Sequence, residues 1–326
     1  MSGTSISGSL TGSLILLTAT FVWGTAFLAQ KFGSESIGPF SVTCLRNALG
    51  GLFLLGCVAV RARTGRGSAV RPSVSASILA GVFSGLPLFA AMAAQQIGIG
   101  YTTPGISGFL TTNYMFIIPL LGIVIYRRFP HWHVWVGVVM ALAGTYLICL
   151  SPEGGVPADL RSWRSVCAAV GPGELWTILC AFLFAIQMLV VDHYARRCDV
   201  LVMSSAQLFV ASILAVPFLF LPSEAARLSF ATLLSPRISL SLVYLGVFSS
   251  GIAYTLQNFA QIRTPPAVAG VILSTESVFA ALSGFAVLGD RMTSAQLAGC
   301  ALVLSAAVLT QVFESLRVRR SSSPAG

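Results

Sequence analysis

The sequence predicts an all-α integral membrane protein, with ten transmembrane helices arranged as two five-helix inverted-topology repeats. Three observations lead there. Of 326 residues, 56% are hydrophobic and only 9% are charged, with a mean hydropathy of +0.86, whereas a soluble domain carries roughly 25% charged residues. A surface so poor in charge would aggregate in water, so the bilayer is the solvent. The apolar residues fall into ten stretches, each near the ~20 residues that cross a hydrocarbon core; they are too long for barrel strands and lack a two-residue period. Finally, residues 102–147 overlay residues 264–309 without a gap. Thr102, Pro104, Gly108, Gly122 and Gly137 fall on Thr264, Pro266, Gly270, Gly284 and Gly299, and Gln95 falls on Gln257, all at an offset of 162. The copies lie five helices apart, an odd number, so corresponding helices cross in opposite senses. Such inverted repeats place a substrate site near the midplane, between two mirror-related conformations.

The stretches can be taken in order. No Lys or Arg precedes Lys31, so the first, 12–32, has no basic n-region. It is expected to be a retained helix rather than a cleaved leader, and Trp23 lies deep enough in it to wall a cavity. The second, 38–60, carries Arg46 on the outer side of its centre. Three readings of Arg46 stand open: pairing with Glu276, holding a substrate carboxylate, or snorkelling to the headgroups. The third, 75–97, contains Pro87 and ends in Gln95 and Gln96. The fourth, 103–126, opens at Pro104, where a missing N–H is harmless; it carries Tyr114 and has Pro119 at its middle as a predicted helix-bending residue. The fifth, 132–150, starts beside His131, Trp132, His133 and Trp135, read as headgroup and interfacial-belt residues.

Residues 151–173 read as a Gly- and Pro-rich external linker between a first repeat, 12–150, and a second, 174–316. The second repeat comprises stretches at 174–194, 200–221, 238–261, 266–288 and 294–316. Its 238–261 stretch ends in Gln257 and Asn258, matched in depth to Gln95 and Gln96. That symmetry points to a shared pathway, with helix packing as the competing account. The stretch after it places Glu276 near mid-bilayer by helical rise. Substrate contact or protonation is one reading of this carboxyl, and an interhelical hydrogen bond assisted by Ser274 or Thr275 is the other. The repeat partner of Glu276 is Tyr114, and that of Pro119 is Ala281, so the two halves are expected to bend unequally. Residues 317–326 form a basic tail expected along the anionic inner leaflet.

The formal charge of +9 reflects orientation rather than a nucleic-acid partner. With the N-terminus inside, twelve basic residues fall on cytoplasmic segments: Arg61, Arg63, Arg66, Arg71, Arg127, Arg128, Arg196, Arg197, Arg263, Arg317, Arg319 and Arg320. Six fall outside, namely Lys31, Arg161, Arg164, Arg227, Arg237 and Arg291, which favours two cytoplasmic termini. The seven cysteines show no paired or metal-like spacing and read as small buried hydrophobes, with Cys167 alone in a loop. No metal, cofactor or catalytic residue is expected. The classes that compete with a carrier are a membrane-embedded enzyme and a channel, but neither a hydrolase or phosphate-loop pattern nor a filter motif is present.

The stretch from Leu273 through Glu276 to Ala280, followed by Leu288-Gly-Asp-Arg-Met-Thr-Ser-Ala-Gln-Leu-Ala-Gly299, resembles the last two helices of EamA-type drug/metabolite transporters. Trp23-Gly24-Thr25-Ala26-Phe27 is similar to that family's first-helix motif, and Leu45-Arg46 to its second. The resemblance spans essentially the whole chain; Ser277 stands where proline is usual, and Asp290 where glutamate is usual. It implies a multi-pass carrier of the bacterial inner membrane, expected to export amino acids or related small metabolites by alternating access and often coupled to ions. Proton coupling through Glu276 is expected from its depth.

Overall fold

The computed structural model describes residues 6–64, 73–102, 104–127, 129–149, 171–288 and 292–322. The basic residues 66, 71, 128, 161, 164 and 291, together with Asp290, Cys167, most of the linker and the end of the tail, lie outside the described residues. Nine described segments are long and apolar enough to cross a membrane, and Trp132–Ile148 is a shorter apolar helix. The protein is an all-α membrane protein of about ten spans.

In the first half the helices are α1 (Ile6–Ile37), α2 (Pro39–Arg63), α3 (Val74–Tyr101), α4 (Pro104–Thr112), α5 (Tyr114–Tyr126) and α6 (Trp132–Cys149). In the second they are α7 (Pro172–Ala195), α8 (Val200–Ala215), α9 (Pro236–Val243), a π-helical segment (Tyr244–Ala253), α10 (Tyr254–Gln261), α11 (Pro266–Leu273), α12 (Glu276–Leu288) and α13 (Ser294–Ser322). Short helical turns at Val216–Phe220, Pro222–Ala225 and Phe230–Leu234 join α8 to α9.

Polarity is distributed for lipid. Leu52, Val124, Val139, Ile213 and Val308 are all more than half exposed, while Asn47, Gln96, Gln187, Gln207 and Asn258 are fully buried. Hydrocarbon tails are as apolar as leucine, so helices associate through close backbone approach and interhelical hydrogen bonds. A Cβ on Gly144 would stand 2.8 Å from the Gly299 carbonyl, and one on Gly299 2.6 Å from the Gly144 carbonyl, so α6 and α13 touch backbone to backbone.

One contact occurs twice with the halves exchanged. Thr102 Oγ1 donates to Glu174 Oε1 at 2.8 Å, joining the end of α3 to the start of α7. Thr264, 162 residues after Thr102, lies against Gly12 of α1, 162 residues before Glu174.

The fourth and ninth stretches depart from the continuous helices expected. Each is broken, the fourth at Asn113 and the ninth at Ser274–Thr275, which are equivalent positions at the 162 offset. Hydroxyl and amide side chains compete for the helix carbonyls there. Thr112 Oγ1 donates to Phe109 O at 2.8 Å and Asn113 Nδ2 to the same carbonyl at 3.2 Å; Ser274 Oγ donates to Val271 O at 2.6 Å and Thr275 Oγ1 to Ile272 O at 2.8 Å. Pro119 lies inside α5, beyond the break. Polar side chains, not prolines, interrupt both helices, at positions other than the Pro119 and Ala281 pair for which unequal bending is expected.

Other side chains also lie elsewhere than expected. His133 is 3% exposed and pairs with Glu314 at 3.2 Å, so it does not meet headgroups. Lys31 belongs to α1 rather than to a loop, and its Nζ donates to the Ile99 and Thr102 carbonyls at 2.9 and 3.2 Å, satisfying the C-terminus of α3. At the start of α2, Glu224 accepts from Phe40 N at 3.3 Å, Ser41 N at 2.9 Å and Ser41 Oγ at 2.7 Å. A carboxylate on a helix N-terminus satisfies orphan N–H donors and favours the dipole; here it comes from a distant turn and anchors the helix that carries Arg46.

Candidate functional site

The two broken helices meet at a cavity lined by residues of both halves. Three pairs of its lining residues are related by the offset: Gln95 with Gln257, Thr111 with Leu273, and Tyr114 with Glu276. The cavity therefore lies where the two halves face one another. Tyr114 and Glu276 are each the first residue of the helix after a break, which brings both to the chamber wall.

The remaining wall is contributed unequally. Trp23 packs its ring on Tyr254, with centroids 4.8 Å apart, and its Nε1 donates to Ser249 O at 3.0 Å. Phe184 also stacks on Tyr254, with centroids 6.4 Å apart. Gln30 and Gln187 add amides to the wall.

Arg46 is 2% exposed and lines the cavity, so it does not snorkel. Its Nε donates to Ser250 Oγ at 3.0 Å and its Nη2 to Ser249 Oγ at 2.7 Å. Both serines lie on the π-helical segment; such wide turns recur at functional sites because they re-aim side chains. Glu276, 6% exposed, faces the Tyr114 hydroxyl. Among the described residues, no ion pair joins Glu276 to Arg46 or to any other cation. Tyr254 lines the same chamber as both.

Six of the seven candidate residues, Glu276, Arg46, Tyr114, Trp23, Gln95 and Gln257, are thus brought to one chamber. Asn258 is not. Its Nδ2 donates to Ser204 Oγ at 2.9 Å and Gln207 Oε1 at 3.3 Å, tying α10 to α8. Gln96 turns away in the same fashion, donating to Gln30 O at 3.3 Å. In each amide pair the first residue faces the cavity and the second holds helices together, because adjacent residues on a helix point about 100° apart. Sequence reasoning missed Thr111, Phe184 and Met188. The 162 offset linking Thr111 to Leu273 was the available signal for the first; for Phe184 and Met188 there was none.

Comparison with known proteins gives the family. The model of the EamA-like transporter family matches residues 10–150 and 171–312. An uncharacterized transporter of Archaeoglobus fulgidus is 26% identical over 310 residues, covering 95% of this chain and 87% of its own. The threonine/homoserine exporter RhtA of Escherichia coli K12 is 25% identical over 311 residues, covering 95% and 92%. A solved crystal structure superposes with a TM-score of 0.70 at 21% identity, covering 96% of this chain and 99% of that one, a likeness that carries the fold. With both halves matched, the chain belongs to the EamA-like transporter family.

Proposed function

We propose that the protein is a secondary carrier that exports small polar metabolites, amino acids or related compounds, across the bacterial inner membrane by alternating access, with both termini cytoplasmic. One observation carries this reading: three pairs of residues related by the repeat line the chamber, so both halves contribute to it along the line where they face one another. In an inverted pair the chamber then opens to either side as one half rocks against the other. The breaks at Asn113 and Ser274–Thr275 support it, since half-helices can reorient without unwinding. Membership of a transporter family and similarity to an amino-acid exporter support the cargo class.

Within this reading Glu276 is the coupling group. A carboxylate buried without a cationic partner is costly in a membrane interior unless a proton or a cationic part of the cargo neutralises it. Exchange of one for the other couples outward cargo flux to inward proton flux. The test is transport in vesicles under an imposed pH gradient. Glu276→Gln is expected to lose gradient-driven accumulation while retaining downhill exchange, and full gradient-driven accumulation in that variant would refute the coupling role.

A further inference from the structure

We propose that Arg46, seated by Ser249 and Ser250, is the cavity's oxyanion subsite, and that the cargo binds there through a carboxylate. This rests on the carrier reading. A guanidinium has five N–H donors in a planar fork. Nε and Nη2, which share one edge, are held by the two serine hydroxyls. The opposite edge, Nη1 with the second Nη2 hydrogen, has no acceptor among the described residues.

Buried cations are ordinarily paired, because an unneutralised one costs several kcal/mol. Serine hydroxyls orient the fork but carry no charge to balance it. Glu276 lines the same chamber yet makes no ion pair with Arg46 among the described residues. A fixed cation with its end edge free, 2% exposed and lining a chamber, calls for an anion supplied from outside the protein. Two coplanar donors match the two oxygens of a carboxylate, the bidentate arrangement that makes such pairs both strong and selective.

The other half offers no matching cation. The position placed like Arg46 in α8 is close to Gln207, which is fully buried and accepts from Ser84 Oγ at 3.1 Å and Asn258 Nδ2 at 3.3 Å. An uncharged amide held by its own partners stands there, so the guanidinium subsite belongs to one half only.

The test uses the full chain in proteoliposomes loaded with a mixture of amino acids, their C-terminal amides, 2-hydroxy acids and inorganic phosphate, with efflux resolved by mass spectrometry. The wild type is expected to carry acids at least tenfold faster than the matching amides. Arg46→Gln is expected to lose that discrimination together with flux, and Arg46→Lys to retain part of it. Ser249→Ala combined with Ser250→Ala is expected to raise KM three- to tenfold with kcat nearly unchanged, the signature of a loosened fork. A merely structural Arg46 would lower flux without altering the acid-to-amide ratio. Equal transport of acids and amides overturns the subsite while leaving the carrier reading intact. Transport of phosphate alone overturns the carboxylate assignment. Absence of any flux overturns the carrier reading and the subsite with it.

Discussion

The seating of Arg46 depends on how closely α2 approaches the π-helical segment, and Gly50 sets that approach. Gly50 lies one helical turn after Arg46, on the same face. A Cβ there would stand 2.7 Å from the Gly246 carbonyl and 3.0 Å from both Gly251 N and Leu208 Cδ1. Backbone cannot yield as a flexible side chain does, so Gly50→Ala must push the helices apart. Restoring an ordinary 3.4 Å contact at Gly246 requires about 0.7 Å of separation. Transmitted to the neighbouring turn, that lengthens the Arg46 bonds to Ser249 and Ser250, now 2.7 and 3.0 Å, to about 3.4 and 3.7 Å, at and beyond the limit of a hydrogen bond. Overpacking of this kind costs about 1–3 kcal/mol, which at about 2–4 °C per kcal/mol for a chain of this order of size lowers Tm by several degrees. The assays are thermal unfolding of the purified protein in detergent and vesicle transport at varied substrate concentration. The expected result is a lower Tm with KM raised more than kcat is lowered. An unchanged Tm with unchanged KM would show that the helices slide freely here and that the fork is not held by this contact.

Glu224→Ala removes the acceptor for three donors at the start of α2; loss of a cap and of satisfied buried donors together costs about 2–4 kcal/mol, read as a fall in detergent Tm, with Glu224→Gln losing less. Ser274→Ala with Thr275→Ala removes the side chains that compete for the Val271 and Ile272 carbonyls and gains about 0.5 kcal/mol of helix propensity at each position. If the break serves alternating access, the double variant raises Tm while lowering kcat; a raised Tm with full kcat would show that the break serves no turnover step.

Composition and helical length make the class of fold legible, because a bilayer demands both and little else satisfies them. The breaks in the fourth and ninth helices are written in Thr112-Asn113 and Ser274-Thr275, but in a chain where buried hydroxyls are common nothing local distinguishes a helix-breaking pair from a packed one. Proline is the louder signal, but Pro119 lies inside α5, beyond the break, and does not mark it. Glu224 was illegible for a different reason. Its partners lie 183 and 184 residues away at Ser41 and Phe40, and no periodicity reports a contact of that range.

The chamber was more legible than single residues were, and the reason is geometric. Positions related by the repeat meet only along the line between the halves, so Gln95 with Gln257 and Tyr114 with Glu276 mark that line before any coordinates are known. On the carrier reading, matched pairs alone would suit a cargo with two identical ends. A metabolite with one carboxylate needs the halves to differ, and they differ at Arg46 against Gln207 and at Glu276 against Tyr114. The chemistry that reads the cargo therefore has to lie where the symmetry is broken. Substitutions that restore it, such as Glu276→Tyr or Arg46→Gln, remove recognition while leaving the shared residues of the fold in place.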